Sequence, residues 1–178
     1  MPDSARFRLA RRSPSEALAG FVFVELLIVV AILSILMAIA LPAYLDYVYR
    51  GKVSESLQFL GDAKSSINEF HSRWGRMPAD NNEAGLRASE ELRGQYLRGV
   101  SVSDGTLFAA MDLGRDRNDQ PIERTLTFRP WVNTNAPGSP IVWACGQDDP
   151  DLPDGYHTTG KVAPNPVDSK WLPAICRD

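Results

Sequence analysis

The sequence predicts an α+β fold, in which one long N-terminal helix packs against an antiparallel β-sheet and a C-terminal loop is bounded by two cysteines. Three observations predict it. Residues 21–44 form an almost uninterrupted apolar run. Apolar residues then recur at helical spacing as far as Trp74, and short apolar or alternating runs follow residue 106. The 178 residues therefore leave room for a short N-terminal segment, this helix and one globular head.

The run 21–44 is long enough to cross a bilayer as a helix, because about 20 apolar residues suffice. It contains one carboxylate, Glu25, and a charge inside a membrane segment costs roughly 2.5 kcal/mol or more and calls for a partner. Pro42 removes a backbone donor and predicts a bend or a locally melted turn at residues 37–41. Four arginines precede the run and place that end in the cytoplasm, with the head across the membrane.

Residues 20–44, GFVFVELLIVVAILSILMAIALPAY, resemble the class III signal and N-terminal segment of type IV pilins and pseudopilins. Gly20, Phe21, Glu25 and Pro42 stand where that family has a glycine, phenylalanine, glutamate and proline. The resemblance implies that a prepilin peptidase cuts between Gly20 and Phe21 and methylates the new amine of Phe21. It also implies that Glu25 pairs with the N-terminal amine of a neighbouring subunit, since two buried opposite charges cost less together than apart.

The resemblance divides the chain into a leader at 1–20, a transmembrane and polymerisation segment at 21–44, and a head at 45–178. The head begins with an amphipathic half-helix, whose apolar stripe consists of Val53, Leu57, Leu60, Ile67, Phe70 and Trp74. Gly75 and Pro78 are expected to end this helix. Strands are predicted at 106–113, 124–129 and 141–145, with a further edge strand at 100–103. Their apolar face would cover the stripe, although the strand order stays open.

Cys145 and Cys176 are the only cysteines, and both belong to the part predicted to lie outside the cytoplasm. An even count in an oxidising compartment favours a disulfide over free thiols. The flanking sequences PIVWAC and KWLPAICR resemble the start and end of the C-terminal disulfide-bounded loop of type IVa pilins. That resemblance implies a loop at 145–176 that is held by its two ends.

Three other clusters favour ordinary surface or packing roles over binding. Four aspartates lack an EF-hand pattern, so a solvated acidic turn is preferred to a calcium site: Asp148, Asp149, Asp151 and Asp154. Four arginines are interleaved with acids, which argues against a nucleic-acid surface: Arg115, Arg117, Arg124 and Arg129. Three aromatics are either adhesive or, more commonly, packed: Trp131, Tyr156 and Trp171.

No enzyme is predicted, because the sequence has no nucleophile elbow, no phosphate-binding loop and no HExxH. His71 and His157 are far apart, and no CxxC exists, so neither a metal nor a cofactor is expected. The net charge of −3 implies no polyanionic partner.

The resemblance implies a structural subunit of a type IV pilus that polymerises with other pilin subunits for adhesion and twitching motility. Its other partners are then the prepilin peptidase and an inner-membrane assembly machinery. It lies in the inner membrane with its N-terminus in the cytoplasm before assembly, and in an extracellular fibre afterwards. A minor, tip or DNA-uptake pilin, a type II secretion pseudopilin and an uncleaved single-span protein are the alternatives.

Overall fold

The computed structural model describes residues 14–116, 118–136 and 138–177. Its elements are helix α1 (Pro14–Trp74) and strands β1 (Leu97–Ser103), β2 (Thr106–Arg115), β3 (Pro121–Asn133), β4 (Val142–Cys145) and β5 (Tyr156–His157). Short 3-10 turns lie at Ser89–Glu91, Ser169–Trp171 and Ala174–Cys176. The chain divides into two compact units between residues 44 and 45. Within the second unit a helix packs on an antiparallel sheet, which confirms the predicted α+β fold.

Helix α1 ends at the glycine that the sequence marks. Gly75 has φ 65°, and its N–H donates to the carbonyl of His71 at 2.8 Å, which is the left-handed cap that favours glycine. Pro42 lies inside α1, and residues 37–41 are helical, so the predicted melted turn is wrong. One proline removes a single intrahelical bond, and the apolar helix continues on both sides of it. The alternative prediction, a bend, stays a prediction.

The head part of α1 buries a stripe that differs in detail from the predicted one. Its fully covered members follow three-and-four spacing: Val53, Ser56, Leu60, Ala63 and Ile67. Leu57 and Phe70 are partly buried, whereas Trp74 is 64% exposed and does not belong to the covered face. The stripe meets alternate residues of β2, namely Leu107, Ala109, Met111 and Leu113, in one core cluster.

The sheet has the strand order β1-β2-β3-β4, with β5 paired to β3. The named pairings are antiparallel, and β1 and β2 are joined by a two-residue turn. Asp104 and Gly105 in that turn both have positive φ, at 48° and 78°, as a primed hairpin turn requires. The predicted strands at 106–113, 124–129 and 141–145 each fall within or overlap an observed strand, and the proposed edge strand 100–103 is the second half of β1.

The C-terminal segment pairs with the first half of β3 through a short parallel bridge between Thr125 and Pro166. Thr125 N–H donates to the carbonyl of Asn165 at 2.8 Å, and Val167 N–H donates back to Thr125 at 3.2 Å. Ala163 N–H donates to the side-chain hydroxyl of Thr127 at 3.2 Å. Residues 126–130 of β3 are all buried.

Candidate assembly site

The apolar segment of α1 has no covering within the described chain. Residues 20–44 are exposed throughout, and Phe21 is 69% exposed. By its length and composition, the helix is able to cross a membrane, and none of its most apolar stretch is buried. A solvated surface of this size is strongly unfavourable in water, since each large apolar side chain left exposed forgoes roughly 1.5–3 kcal/mol. The segment therefore needs lipid or other protein chains around it.

Glu25 is the only carboxylate of this segment, and the segment contains no lysine, arginine or histidine. It is exposed and forms no ion pair with any residue in the described part of the chain. Gly20 and Phe21 lie one helical turn before it, so their peptide bond falls inside α1. The helical spacing places Phe21 and Glu25, four residues apart, on the same face of the helix.

Ser34 and Pro42 interrupt the otherwise apolar segment. The Ser34 hydroxyl donates to the carbonyl of Val30 at 2.7 Å, within its own helix. That bond satisfies the hydroxyl locally, as is usual for serine in apolar helices. Glu25 thus remains the one acidic group of the segment, and its charge requires a partner from elsewhere.

The C-terminal loop is closed by a disulfide between Cys145 and Cys176. Cys176 is 7% exposed and belongs to the main core cluster. Close before it, Trp171 stacks on Tyr49 with ring centroids 4.5 Å apart, and its indole N–H donates to Asp46 at 2.9 Å. The loop end is therefore fixed both to β4 and to the first turns of the head helix.

Arg129 is the anchor of the loop that follows β4. Its side chain is 5% exposed and forms an ion pair with Asp149. The same guanidinium donates to the carbonyls of Gln147, at 3.2 Å, and Asp148. The two terminal nitrogens are thus paired and hydrogen-bonded, as interior charges require, whereas the buried Nε has no hydrogen-bond partner among the described residues. Sequence reasoning missed this role, because it placed Arg129 among surface arginines.

The loop between α1 and β1 is organised by Asn81. Its side-chain amide donates to the carbonyls of Arg87 and Val100, both at 2.9 Å, and its side-chain oxygen accepts from Val102 N–H at 2.6 Å. One residue thus ties the loop to β1. The signal available in the sequence was the Asn-rich composition after Pro78, which indicated a loop but no partners.

Glu83 forms an ion pair with Arg76 in this loop. Arg76 donates to both of its carboxylate oxygens, at 2.8 and 3.0 Å, and Ala79 N–H donates at 2.8 Å. The bond from Arg76, with that from Ala79, lowers the pKa of Glu83 from its ordinary 4.5 to about 2. Because the pKa of Glu83 is lower in the folded head than in the unfolded chain, the ionised carboxylate stabilises the folded head above pH 4.5. That stabilisation is lost as the pH falls towards 2.

The variant Glu83→Gln tests this linkage. Its melting temperature is expected to lie below that of the wild type at neutral pH, because Gln cannot form the charged bidentate pair with Arg76. The difference between the two melting temperatures should decrease as the pH falls below 4.5 and should vanish near pH 2. Circular dichroism of the full chain in detergent measures it, with Glu69→Gln, which removes the exposed Glu69–Arg73 pair, as control. A gap that stays constant between pH 4.5 and 2 would contradict the assignment.

Local contacts separate several members of the three remaining clusters. Arg129 is buried on Asp149, Arg115 pairs with Asp119 at 3.5 Å, and Arg117 lies outside the described residues. The described part of the chain holds no group of three or more acidic, histidine or cysteine side chains able to bind a metal. Trp171 is packed rather than free to bind a ligand.

Comparison with known proteins decides the family. The family model described as Pilin (bacterial filament) matches residues 50–177, most of the chain. The chain belongs to the pilin family. It is 36% identical to the type IV major pilin protein PilE of Neisseria gonorrhoeae over 89% of this chain and 93% of that one. A fimbrial protein of Neisseria meningitidis serogroup B, 35% identical, and the fimbrial protein EcpC of Eikenella corrodens, 34% identical, cover 89% of this chain and 94% and 90% of their own lengths.

Membership of the pilin family accounts for the exposed apolar helix. A pilin is a structural filament subunit, so this chain is one unit of a polymer. The apolar segment fits membrane anchoring, and it is also the surface that a polymer would enclose. The prediction that the chain is not an enzyme agrees with the structural role of the family, and catalysis itself stays untested.

Proposed function

We propose that this chain is the major subunit of a type IV pilus. It is processed between Gly20 and Phe21, and it polymerises through residues 21–44 into a surface fibre that serves adhesion and twitching motility. The observation that supports this most is the uncovered apolar helix with one carboxylate, Glu25, close to its future N-terminus. The names of the Neisseria gonorrhoeae relatives, which are type IV major pilins, favour the major subunit over a minor one.

The chemistry of assembly follows from charge. Cleavage after Gly20 creates an amine on Phe21, and methylation leaves it cationic. Neither that amine nor the Glu25 carboxylate is stable alone in an apolar surrounding. A neighbouring subunit supplies the opposite charge, so the two groups pair between chains and fix the stagger of adjacent helices. Apolar contacts then bury the rest of the segment.

Each step of processing and assembly involves a different partner of this chain. The unprocessed chain waits in the inner membrane with its arginine-rich N-terminus in the cytoplasm. A prepilin peptidase removes residues 1–20 there, and an inner-membrane machinery moves the processed subunit into the fibre. The head, whose disulfide suits an oxidising compartment, coats the outside of the fibre.

The variant Gly20→Val tests the processing step. A branched side chain at the cleavage position should obstruct the peptidase, and it should leave α1 intact, because valine is more favourable than glycine in a helix interior. We expect the chain to keep residues 1–20, to stay in the membrane and to form no fibres, as read by mass spectrometry of membranes and sheared fibres.

The matched control is Gly51→Ala, which changes a glycine of the same helix with open space around it. It should process and assemble normally. Fibres at wild-type yield that are built from Gly20→Val chains still carrying residues 1–20 would contradict the proposal.

A further inference from the structure

A cationic pocket lies beside the first turns of the head helix. It is a cavity of about 430 Å³ between α1, the turn at residues 93–95, and the facing ends of β1 and β2. Its charged lining consists of Lys52, Arg93, Arg98 and Asp112. Arg98 and Asp112 neutralise each other through a direct ion pair, so Lys52 and Arg93 leave the pocket with a net charge of +2.

Lys52 is held in place without a carboxylate partner among the described residues. Its ammonium donates to the carbonyl of Leu113 at 2.6 Å and lies 4.6 Å from the centre of the Tyr96 ring. One acceptor and one ring leave donors of the ammonium free to bind an anion. The side chain is therefore preorganised and not neutralised.

Arg93 is the second cation of the pocket. It is exposed and forms no ion pair with any residue in the described ranges. The carboxylate of Glu55, which is not part of the lining, accepts the backbone N–H of Gln95 at 2.5 Å and so holds the 93–95 turn against the helix. The turn therefore brings Arg93 to the pocket while its charge stays free to bind an anion.

The uncharged part of the lining adds a hydroxyl. The Tyr96 hydroxyl accepts a bond from the side-chain amide of Gln95 at 3.2 Å, which leaves its own hydrogen to donate. Two cations and a hydroxyl suit a ligand that carries one phosphate and neighbouring hydroxyl groups. A ligand whose phosphate is followed by an ammonium suits the pocket less, because Lys52 and Arg93 repel that second charge.

The pocket lies close along the chain to the apolar run. The head begins at Leu45, directly after the run, and Lys52 follows after about two helical turns, or about 10 Å of rise. The polar layer on each side of a bilayer is roughly 5–7 Å deep, and long basic side chains reach towards it. When the run spans a membrane, lipid phosphates of the adjoining leaflet therefore come within reach of the pocket. Basic pockets beside membrane helices bind anionic headgroups in this way.

We propose that this pocket binds the phosphoglycerol headgroup of an anionic lipid in the leaflet where the apolar run leaves the membrane. Lys52 and Arg93 bind the phosphate, and Tyr96 bonds to a glycerol hydroxyl. The bound lipid holds the head of an unassembled subunit on the membrane surface. The proposal rests on the proposed function in one respect, because it requires that the subunit waits in a membrane before it polymerises.

Native mass spectrometry of the full-length chain in neutral detergent tests the site. The probes are dioctanoyl phosphatidylglycerol and dioctanoyl phosphatidylcholine. We expect one phosphatidylglycerol per chain, bound at least about tenfold more tightly than phosphatidylcholine, whose ammonium is repelled by the two cations. Arg93→Gln and Lys52→Gln should each weaken phosphatidylglycerol binding about fivefold, which is the attraction that one basic residue adds at an anionic lipid surface.

Arg87→Gln is the matched control, because it removes an exposed arginine of the same loop that lies outside the pocket. It should bind phosphatidylglycerol as the wild type does. Equal affinities for the two lipids, or phosphatidylglycerol binding that neither pocket variant changes, would overturn the proposal. Glycerol 3-phosphate that binds as tightly as the lipid would assign the pocket to a soluble anion and would overturn it as well.

A second measurement detects the contact in a bilayer. A fluorophore on Gln95→Cys, in vesicles whose lipids carry a nitroxide on a fraction of the headgroups, should be quenched more strongly with phosphatidylglycerol present than in phosphatidylcholine alone. Adding Arg93→Gln should remove the difference. The same fluorophore on Asn82→Cys, an exposed position after the other end of the head helix, should show none. Quenching at position 95 that does not depend on phosphatidylglycerol would contradict the site.

The failures of the two proposals are distinguishable, because lipid binding is measured on the unassembled chain and fibre yield on the polymer. Normal fibres from a chain without preference for phosphatidylglycerol would reject the headgroup site and leave the pilus proposal intact. If Arg93→Gln lowers the yield of fibres but leaves phosphatidylglycerol binding unchanged, the pocket contacts another protein chain and the headgroup proposal is wrong. Specific lipid binding by a chain that is absent from fibres would reject the proposed function alone.

Discussion

Replacing Glu25 with valine is expected to abolish surface fibres while the processed subunit accumulates in the membrane. The cationic amine of Phe21 would then enter the fibre core without its partner. Removing one member of a buried ion pair costs roughly 3–5 kcal/mol. Since each 1.4 kcal/mol is about tenfold in an equilibrium constant, the yield of sheared fibres should fall roughly 100-fold or more. Valine is less costly than glutamate in a bilayer, so membrane insertion should not suffer.

Ser34→Ala provides the matched control for Glu25→Val, because it also replaces a polar group in the apolar segment. The Ser34 hydroxyl bonds within its own helix, so no partner chain loses a contact. Its fibre yield should equal that of the wild type. Glu25→Val fibres at wild-type yield would show that the carboxylate has no role in assembly.

The largest expected loss of head stability follows removal of the disulfide. The bond joins residues 31 positions apart, and on the chain-entropy estimate such a crosslink contributes roughly 3–4 kcal/mol. A chain with both Cys145→Ser and Cys176→Ser should unfold at a correspondingly lower urea concentration, as followed by tryptophan fluorescence of the full chain in detergent. The loop start should still be held by Arg129, so the folded secondary structure should persist.

Urea unfolding of the wild-type chain under reducing conditions separates the stability contributed by the crosslink from that contributed by packing of the cysteine side chains. Cys176 is buried in the core, and its thiol keeps the same volume after reduction. The reduced wild type should therefore lose most of the stability that the double serine variant loses. Coinciding urea midpoints for the oxidised and reduced wild type would mean that the crosslink contributes nothing measurable.

Local patterns sufficed to predict much of this fold. The apolar run and the three-and-four spacing predicted α1, and Gly75 marked its end, because both signals act through neighbouring residues. Alternation in 106–113 likewise predicted β2 and its buried face. Trp74 was assigned to the covered stripe on spacing alone, yet it lies at the last turn and is 64% exposed. Spacing along a helix does not say how far the opposing sheet extends.

The features that the sequence did not predict depend on distant contacts. Strand order is one, since pairing of β3 with both β4 and β5 is set by residues far apart in the chain. Arg129 is another. The sequence grouped it with arginines that are interleaved with acids, but its side chain is 5% exposed and pairs with Asp149 in the loop after β4. Ala63 and Ser56 were overlooked in the stripe, because small and polar residues give a weak apolar signal although both are covered completely or nearly so.

Mass spectrometry of fibres sheared from the cell surface, run under non-reducing conditions, shows whether this chain is cut after Gly20 and polymerised. We expect this chain to be the main component, to begin at methylated Phe21, and to be two hydrogens lighter than the reduced mature chain because Cys145 and Cys176 are joined. A chain absent from the fibres, and recovered from the membrane with residues 1–20 still attached, would contradict it.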